Sequence, residues 1–345
     1  MIHSSNSRRP QGLSRYLYRG VGLALLGFTL PAWSLNILVT NDDSCNSEGI
    51  NVLMDVLESA GHTVTMYAPA GEQSGRGGAI STNISSSYGI SNVGFHGPTG
   101  ASNRYCVRVP ETNPAEGAEG EITISATPKD SMLVGLARLA DNTPDLVISG
   151  INDGQNIGAV ATSSGTVGAA VAALLKGIPA MAVSRNRFSG DTGMTFSDLA
   201  ELVVSVVAEL ESQRAAGEPL MPELTALNIN NPAGVPRGIV HTSLGQMSDI
   251  RLGPTASGDG VIVGFNGLLS LEELVGDAEV AAELAANPDA TVQDFADAGV
   301  DINDESSMSV AGYITITTMD GDFTAGLRKR ELLQLKLRDL NAGGE

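Results

Sequence analysis

The stretch Leu35–Asp43, LNILVTNDD, gives the clearest indication of the fold class. Its apolar residues form a short run that is typical of a buried strand in a parallel sheet. Two adjacent carboxylates, Asp42 and Asp43, follow at the carboxyl end of the strand, which is the edge where open α/β sheets bind ligands. A hard divalent cation with oxygen ligands would relieve the repulsion between the two carboxylates. A polar turn with an aspartate capping the next helix is the alternative that this stretch leaves open.

The residues after this stretch predict a β-α-β unit. Apolar residues recur at helical spacing over 50–60, and a second apolar run over 63–68 indicates another strand. A right-handed crossover makes the two strands parallel. The glycine-rich loop 69–78, which carries Ser74, then lies at the same sheet edge as Asp42 and is either a plain loop or a contributor to its site.

A second informative block covers 144–184. A strand over Leu146–Ser149 is followed by a long loop over Gly150–Ser163 that contains Asn152 and Asn156. Small residues over Ser164–Lys176 then predict a helix that packs close to the sheet. This order places polar loop residues at the same carboxyl edge as the two aspartates.

The start of that helix, Ser164-Gly165-Thr166, has the chemistry of an anion site. A helix N-terminus offers unpaired N–H donors and the positive end of the helix dipole, and phosphate is a common ligand there. Ser and Thr also serve as ordinary N-caps, so both interpretations stand at this point. No GxGxxG or GxxxxGK[ST] pattern occurs, so nothing supports dinucleotide or P-loop chemistry.

Composition narrows the classes of function. The 345 residues suffice for one large or two medium domains, and the formal net charge is −19. Such a charge opposes binding of a nucleic-acid polymer, which needs basic patches. Four histidines without metal-ligand spacing argue against histidine-nucleophile phosphatases and zinc hydrolases. The two cysteines, Cys45 and Cys106, either pair in an oxidising compartment or remain free thiols.

Residues 1–34 are expected to be a signal peptide. They contain four arginines and no acid, an apolar run over Val21–Leu30, and small residues before Leu35. The apolar run is too short to span a bilayer comfortably. We expect a mature protein from about Leu35, exported to a bacterial periplasm and without a membrane-spanning segment.

Several short motifs occur in an order and spacing that resemble the SurE family of stationary-phase survival proteins. The matching segments are NDD at 41–43, SG at 74–75, ATPKD at 126–130, SGIN at 149–152, SGTV at 164–167, GIPA at 177–180, LNINNP at 227–232 and AGYITIT at 311–317. The resemblance covers about 35–319, nearly all of the expected mature chain. It implies a metal-dependent phosphatase that acts on nucleoside monophosphates.

The resemblance also assigns roles to individual residues. It implies a Mg²⁺ or Mn²⁺ site, with one of two aspartates orienting or deprotonating the attacking water. The implied metal ligands are Asp42, Asp43, Ser74 and Asn152, with Asp42 and Asp43 also catalytic, and the implied phosphate or substrate contacts are Asn156, Ser164, Gly165 and Thr166.

The sequence departs from the family pattern at four positions. Ser44 replaces a usual glycine, Glu48 a proline, Ser131 a cysteine, and Ala172 a glutamate in the helix that follows SGTV. These changes leave the implied metal ligands intact but put substrate preference and rate in question.

The C-terminal third lacks family motifs over much of its length. Acidic residues between 272 and 305 are interpreted as a solvated acidic face, and 328–340 as an amphipathic helix docked on the body or on a second subunit. Because SurE-like proteins exchange C-terminal elements, the resemblance implies a homodimer or homotetramer.

The predicted fold is a three-layer α/β/α, Rossmann-like, mostly parallel sheet. The nucleotidase core covers 35–245 with an insertion at about 93–120, and a β-rich extension with a hairpin and a helix, expected to serve oligomerisation, covers 246–345. The predicted function is hydrolysis of nucleoside 5′- or 3′-monophosphates. A broad-specificity periplasmic acid phosphatase and a catalytically weakened metal- and phosphate-binding homologue are the alternatives.

Overall fold

The structure, a computed structural model, is organised around one mostly parallel β-sheet. It describes residues 34–80, 89–92, 102–109, 124–187, 193–215, 217–245, 250–254, 257, 261–265, 269–321 and 327–336. The strands are β1 (Asn36–Thr40), β2 (Thr63–Pro69), β3 (Gly89–Asn92), β4 (Arg104–Val109), β5 (Ile124–Ser125), β6 (Leu146–Asp153), β7 (Ala180–Arg185), β8 (Thr225–Asn230), β9 (Ile239–Thr242), β10 (Ile250–Pro254), β11 (Val261–Phe265) and β12 (Ile314–Asp320). The helices are α1 (Glu48–Ser59), α2 (Pro128–Arg138), α3 (Gly165–Leu174), α4 (Phe196–Gln213), α5 (Leu271–Val275), α6 (Ala278–Ala286), α7 (Val292–Asp297), α8 (Glu305–Val310) and α9 (Leu327–Lys336), with a 3₁₀ turn over Gly158–Thr162.

The strand order places a switch point beside β1. Among the described residues, the sheet runs β3-β4-β2-β1-β6-β7-β8-β12-β9, with β5 beside β4. The neighbours from β4 to β8 pair in parallel. The chain leaves β1 toward β2 and returns on the other side as β6. Ligands of open α/β sheets bind at such a reversal, at the carboxyl ends of the strands.

Helices cover both faces of the sheet, and each face has its own apolar core. Side chains alternate along β1, so Ile37 and Val39 belong to the core under α1 and α4, whereas Leu38 belongs to the core under α2 and α3. All three are at most 2% exposed. The three-layer α/β/α prediction is confirmed.

One strand boundary differs from the sequence prediction. β6 continues to Asp153 rather than ending at Ser149, because Asn152 pairs again with Ser184 of β7 after an irregularity. Gly150 lies within that irregularity with φ 143°, a conformation that favours glycine. The described residues between β2 and α2 extend the main sheet, since β4 is parallel to β2 while β3 and β5 are antiparallel to β4.

Among the described residues, the C-terminal extension contains more helix than the sequence predicts. A hairpin of β10 and β11 is present, but four short helices, α5 to α8, occupy 271–310. Much of the acidic character belongs to helix starts: Ser270 with Glu273, and Thr291 with Asp294, form reciprocal capping boxes. A third apolar core around the fully buried Phe295 holds these helices together.

The remaining predictions for the C-terminal part concern exposure. Within the described ranges, the acids from Glu272 to Asp301 face solvent as expected, but Glu305 is fully buried. Leucines of α9, Leu332, Leu333 and Leu335, are 52–60% exposed, and the proposed docking on a second subunit stays a prediction. In the part of the chain that the structure describes, no helix is both long and apolar enough to cross a bilayer.

A disulfide fixes the segment that follows the two aspartates. Cys45 and Cys106 are bonded, with their Cα atoms 5.3 Å apart, so of the two states left open by the sequence the structure has the paired one. Cys45 also donates its backbone N–H to the carbonyl of Pro69 at 2.7 Å. The bond therefore ties the loop after β1 to β4, two strands away.

We predict that this disulfide makes a large contribution to stability. It closes a sequence separation of 61 residues, and such a cross-link adds about 2–4 kcal/mol to the free energy of unfolding. Urea denaturation with and without dithiothreitol measures this difference. The double variant Cys45→Ser, Cys106→Ser is the control and should not respond to reductant. An unchanged midpoint for the reduced wild-type protein would contradict the prediction.

Candidate active site

A cavity of about 630 Å³ opens at the sheet edge where β1 and β6 end. Five of the eight predicted site residues line it: Asp42, Ser74, Asn152, Asn156 and Ser164. They come from four separate segments of the chain. The topology therefore brings together side chains that lie up to 122 positions apart (164 − 42) in the sequence.

Asp42 is held in place by the first turn of α3. Its Oδ1 accepts a hydrogen bond from the Thr166 hydroxyl at 2.6 Å, and its Oδ2 accepts one from the Thr166 N–H at 3.2 Å. Asp42 is only 2% exposed, and burial raises the pKa of its carboxyl although the hydrogen bonds from Thr166 act in the opposite direction. The role that the structure gives Thr166 is to orient Asp42.

Asp43 does not line the cavity but borders it. Its Oδ2 accepts a hydrogen bond at 3.0 Å from the backbone N–H of Asp153, which is a lining residue. Burial, followed by the charge of Asp42, raises the pKa of Asp43 to about 7. Within the described residues, neither Asp42 nor Asp43 has a basic side chain at ion-pair distance.

Two neutral oxygen donors lie at the same cavity. The amide nitrogen of Asn152 donates to the carbonyl of Gly154 at 2.6 Å, so the amide oxygen is the atom that a hard cation would take. Ser74 is exposed in the loop after β2. The neighbouring Gln73 donates its backbone N–H to the carbonyl of Asp42 at 2.8 Å, which joins this loop to the aspartates.

Glycine allows α3 to start directly against Asp42. A Cβ at Gly165 would lie 2.8 Å from both Cβ and Oδ2 of Asp42, and a Cβ at Gly168 would lie 2.3 Å from the carbonyl oxygen of Gly77. Real Cβ contacts do not reach such distances, so both positions require glycine. Ser164 is the N-cap, and its hydroxyl accepts the N–H of Val167 at 3.1 Å.

The residues present fit a hard divalent cation. Two neighbouring carboxylates, an amide oxygen and a hydroxyl are the donors that Mg²⁺ and Mn²⁺ prefer. Burial raises the pKa of both Asp42 and Asp43, and the charge of Asp42 also raises the pKa of Asp43, so a bound cation would favour the ionised form of both groups. In the described ranges, no three His, Cys, Asp or Glu side chains converge on one point, so the candidate set depends on the neutral oxygens of Ser74 and Asn152.

Sequence reasoning missed several polar residues around the cavity. Arg187 lines it and donates twice to the carbonyl of Asp153, at 3.0 and 2.6 Å. Glu305, 40 positions beyond Phe265, the last residue of the preceding strand β11 (305 − 265), reaches the loop behind the cavity. The alternating asparagines 228 and 230 of β8 were a usable signal, because residues two apart face the same side of a strand.

The departure at Ala172 has a structural explanation. Ala172 is 4% exposed and packs in the core between α3 and the sheet. It is not among the residues that line the cavity. Ala172 is therefore a packing residue of the core, and the weakened homologue remains an alternative prediction.

The fold and the cavity define an α/β protein with an acidic, oxygen-lined pocket at the switch point of its sheet. A family model described as survival protein SurE matches residues 37–251, more than half of the chain, and the chain belongs to that family. The resemblance expected from the motifs is confirmed.

Individual relatives agree with this assignment. A 5′-nucleotidase SurE from Lawsonia intracellularis is 33% identical over 199 residues, which are 58% of this chain and 66% of the relative. One from Gloeobacter violaceus is 36% identical over 199 residues, 58% of this chain and 65% of the relative. The chain thus spans slightly less than two thirds of the length of these two relatives.

A solved structure shows the same fold. The crystal structure of the SurE protein from Aquifex aeolicus superposes with a TM-score of 0.59 at 23% identity, covering 87% of this chain and 98% of that chain. At this identity the likeness concerns the fold alone.

We predict that Thr166→Val weakens binding of Mn²⁺ by about tenfold, because loss of a group that orients a metal ligand typically costs that much. The hydroxyl that holds Asp42 Oδ1 is removed while the shape of the side chain is kept. Thr166→Ser keeps the hydroxyl and is the matched control. Calorimetric titration with Mn²⁺ measures the affinity of each variant and of the wild-type protein. Equal affinities for Thr166→Val and wild type would contradict the role assigned to Thr166.

We also predict that metal binding weakens as the pH falls. Asp43 binds a proton below a pKa of about 7 in the metal-free protein, whereas a metal takes the carboxylate. Acidification therefore adds a competitor, and the apparent Kd for Mn²⁺ should rise about tenfold from about pH 7.5 to about pH 6. An affinity that does not change over this range would show that Asp43 is already ionised or is not a ligand.

Proposed function

We propose that this chain is a divalent-metal-dependent phosphomonoesterase that hydrolyses nucleoside 5′- or 3′-monophosphates to nucleoside and phosphate. The observation that carries the proposal is the shared cavity of Asp42, Ser74, Asn152 and Ser164 at the switch point of the sheet. Family membership supports the same reaction class, since relatives in the family are named 5′-nucleotidases. Mg²⁺ or Mn²⁺ is the proposed cofactor.

The proposed hydrolysis needs a bound cation and a residue that takes the proton of the attacking water. When bound, the cation would polarise a phosphoryl oxygen and lower the pKa of a water molecule. A water oxygen forms a bond to phosphorus, the bond from phosphorus to the ester oxygen breaks, and the leaving alcohol takes up a proton. We assign the proton of the attacking water to Asp43, because both oxygens of Asp42 already accept hydrogen bonds from Thr166.

The phosphate is proposed to lie between Asn156 and the start of α3. Asn156 and Ser164 both line the cavity and are 6% and 4% exposed. Donors fixed before the substrate arrives stabilise the developing charge on the phosphoryl oxygens without reorganisation. Thr166 and Gly165 contribute indirectly, by placing Asp42 and by letting α3 approach it.

Size and charge favour a small substrate. The cavity of about 630 Å³ is in the usual range for a small-molecule site, and the net charge of −19 disfavours a polymer of nucleotides. Apolar lining by Ile157, Val160 and Val310 together with the side chain of Arg187, which is 62% exposed, suits a nucleobase. These features favour a nucleotide over a phosphate ester without a ring.

Export to an oxidising compartment is part of the proposal. The leader-like residues 1–34 motivate it, and the disulfide between Cys45 and Cys106 supports it, because disulfides persist mainly outside the reducing cytosol. Fractionation of the native host and N-terminal sequencing of the mature chain test this part. A mature chain that keeps the first 34 residues in the cytosol would overturn it.

We predict that wild-type protein with Mg²⁺ or Mn²⁺ releases phosphate from AMP and GMP, and that EDTA abolishes the release. Asp42→Asn and Asp43→Asn should each lower kcat at least about a hundredfold, as expected for a ligand or base of the reaction. Asp141→Asn, at an exposed position of the same residue type, is the control and should be neutral.

The same assay separates the alternatives. Comparable kcat/KM on AMP, p-nitrophenyl phosphate and polyphosphate would indicate a broad acid phosphatase. Metal and phosphate binding without any turnover would indicate a weakened homologue. Full activity of Asp42→Asn would contradict the proposed site itself.

A second prediction concerns the nucleobase. Arg187→Ala should raise KM for AMP by about threefold to tenfold, because it removes a cation that stacks on the ring, and should leave KM for β-glycerophosphate unchanged. Arg138→Ala, at an exposed arginine of α2, is the matched control. Equal effects on both substrates would show that Arg187 acts on the phosphate or on the fold rather than on the base.

A further inference from the structure

A fully buried carboxyl group, Glu305, lies outside the hydrolytic scheme and yet contacts the loop that lines the cavity. It is the first residue of α8 and is 0% exposed. Its Oε2 accepts the backbone N–H of Gly158 at 3.1 Å. Gly158 starts the 3₁₀ turn that leads to Ser164, so Glu305 holds one end of the cavity wall.

The other oxygen of Glu305 orients two asparagines of β8. Its Oε1 accepts from the side-chain amides of Asn228 at 2.8 Å and Asn230 at 3.3 Å, and from the hydroxyl of Thr317 at 3.0 Å. Together with Gly158, four donors therefore converge on one carboxylate. A carboxylate accepts at both oxygens, whereas a neutral amide could accept at only one.

These asparagines in turn fix the backbone of Asn156. The Asn156 N–H donates to Oδ1 of Asn230 at 2.8 Å, and its carbonyl accepts from the amides of Asn228 at 2.8 Å and Asn230 at 3.3 Å. The side-chain amide of Asn156 donates one hydrogen to Ser184 Oγ at 2.9 Å. Because that nitrogen carries two hydrogens, the second can serve a ligand in the cavity that Asn156 lines.

Stability alone gives no reason for a carboxylate at position 305. Burying a charge costs free energy, and hydrophobic replacements of buried ions are often neutral or stabilising. Burial raises the pKa of Glu305 to about 7, in spite of hydrogen bonds from Gly158, Thr317 and Asn228. A group that the fold accommodates at a cost is a candidate for a role in the site.

We propose that Glu305 is a positioning residue, which acts through Asn228 and Asn230 to hold Asn156 in the geometry that binds the phosphate of the substrate. The proposal rests on the function proposed above for this cavity. Glu305 does not touch the substrate. Through Asn230 it fixes the position of the Asn156 backbone. Through its hydrogen bond to Gly158 it fixes the path of the chain that leads to the start of α3.

The test is Glu305→Gln, measured on Mn²⁺-loaded protein. Glutamine has the same size as glutamate but only one acceptor oxygen. Its NH₂ group would face either the Gly158 N–H or the asparagine amides, which are themselves donors. We expect KM for AMP and the Kd for inorganic phosphate, measured by calorimetry, to rise together by about tenfold, since a hydrogen bond to a charged group is lost. We expect kcat to fall as well, but by less than the loss of at least about a hundredfold expected for Asp43→Asn, because Asp42 and Asp43 keep their positions while Asn156, a donor to the developing charge, is displaced.

Asp304→Ala separates positioning from stability. Asp304 caps the same helix by accepting the N–H of Ser307 at 2.8 Å and has no hydrogen bond to Asn156 or Gly158 in the described residues. Loss of this helix cap in Asp304→Ala should lower Tm while leaving KM for AMP and the affinity for phosphate unchanged. Glu305→Asp, which keeps the charge on a shorter side chain, should recover part of the phosphate affinity lost in Glu305→Gln.

The possible results distinguish failure of this inference from failure of the proposed function. Unchanged KM and phosphate affinity in Glu305→Gln, or changes no larger than those of Asp304→Ala, would overturn the role of Glu305 while the phosphatase stands. Phosphate binding that weakens in Glu305→Gln without any AMP hydrolysis by wild type would support Glu305 and overturn the proposed reaction. No phosphate binding by the wild-type protein would overturn both.

Discussion

Two adjacent buried carboxylates at the end of a parallel strand are the constraint on which the rest of the site depends. Asp42 and Asp43 lie where the strand order reverses, and burial raises the pKa of both groups. The protein offers no basic partner within the described residues and instead supplies hydrogen-bond donors from Thr166 and Asp153. Because these two buried carboxylates have no positive side chain beside them in the part of the chain that the structure describes, we expect a bound ligand to supply the positive charge. A hard divalent cation has the required charge and preference for oxygen ligands.

Much of the surrounding structure serves to bring other elements close to this pair. Gly165 lets α3 start in contact with Asp42, and the small residues along α3 pack that helix against the sheet. The disulfide at Cys45 fixes the chain directly after the aspartates. On the far side of the cavity, Asn228, Asn230 and Glu305 hold the loop of Asn156 through a buried hydrogen-bond network. A site of this kind combines rigid supports with donors that are placed before the substrate arrives.

The sequence predicted those parts that local pattern determines. The apolar run of β1, the helical spacing of α1 and the NDD and SGTV motifs were sufficient for the α/β/α layers and for five of the residues that line the cavity. Contacts between distant segments could not be predicted: the sequence does not show that Thr166 donates to Asp42. It also does not show that Glu305 is buried while the acids from Glu272 to Asp301 face solvent. The helices α5 to α8 were missed because each is short and starts at a cap that also resembles a turn.

The most direct test of this account is anomalous diffraction from a crystal of the protein soaked with Mn²⁺. We expect one strong anomalous peak at the switch point, with oxygens of Asp42, Asp43, Ser74 and Asn152 at about 2.0–2.3 Å from it. A crystal that also contains phosphate should show the anion between that peak and Asn156. A peak at the acidic helices of 271–310 alone, or none near Asp42, would contradict the claim that these side chains form a cation site.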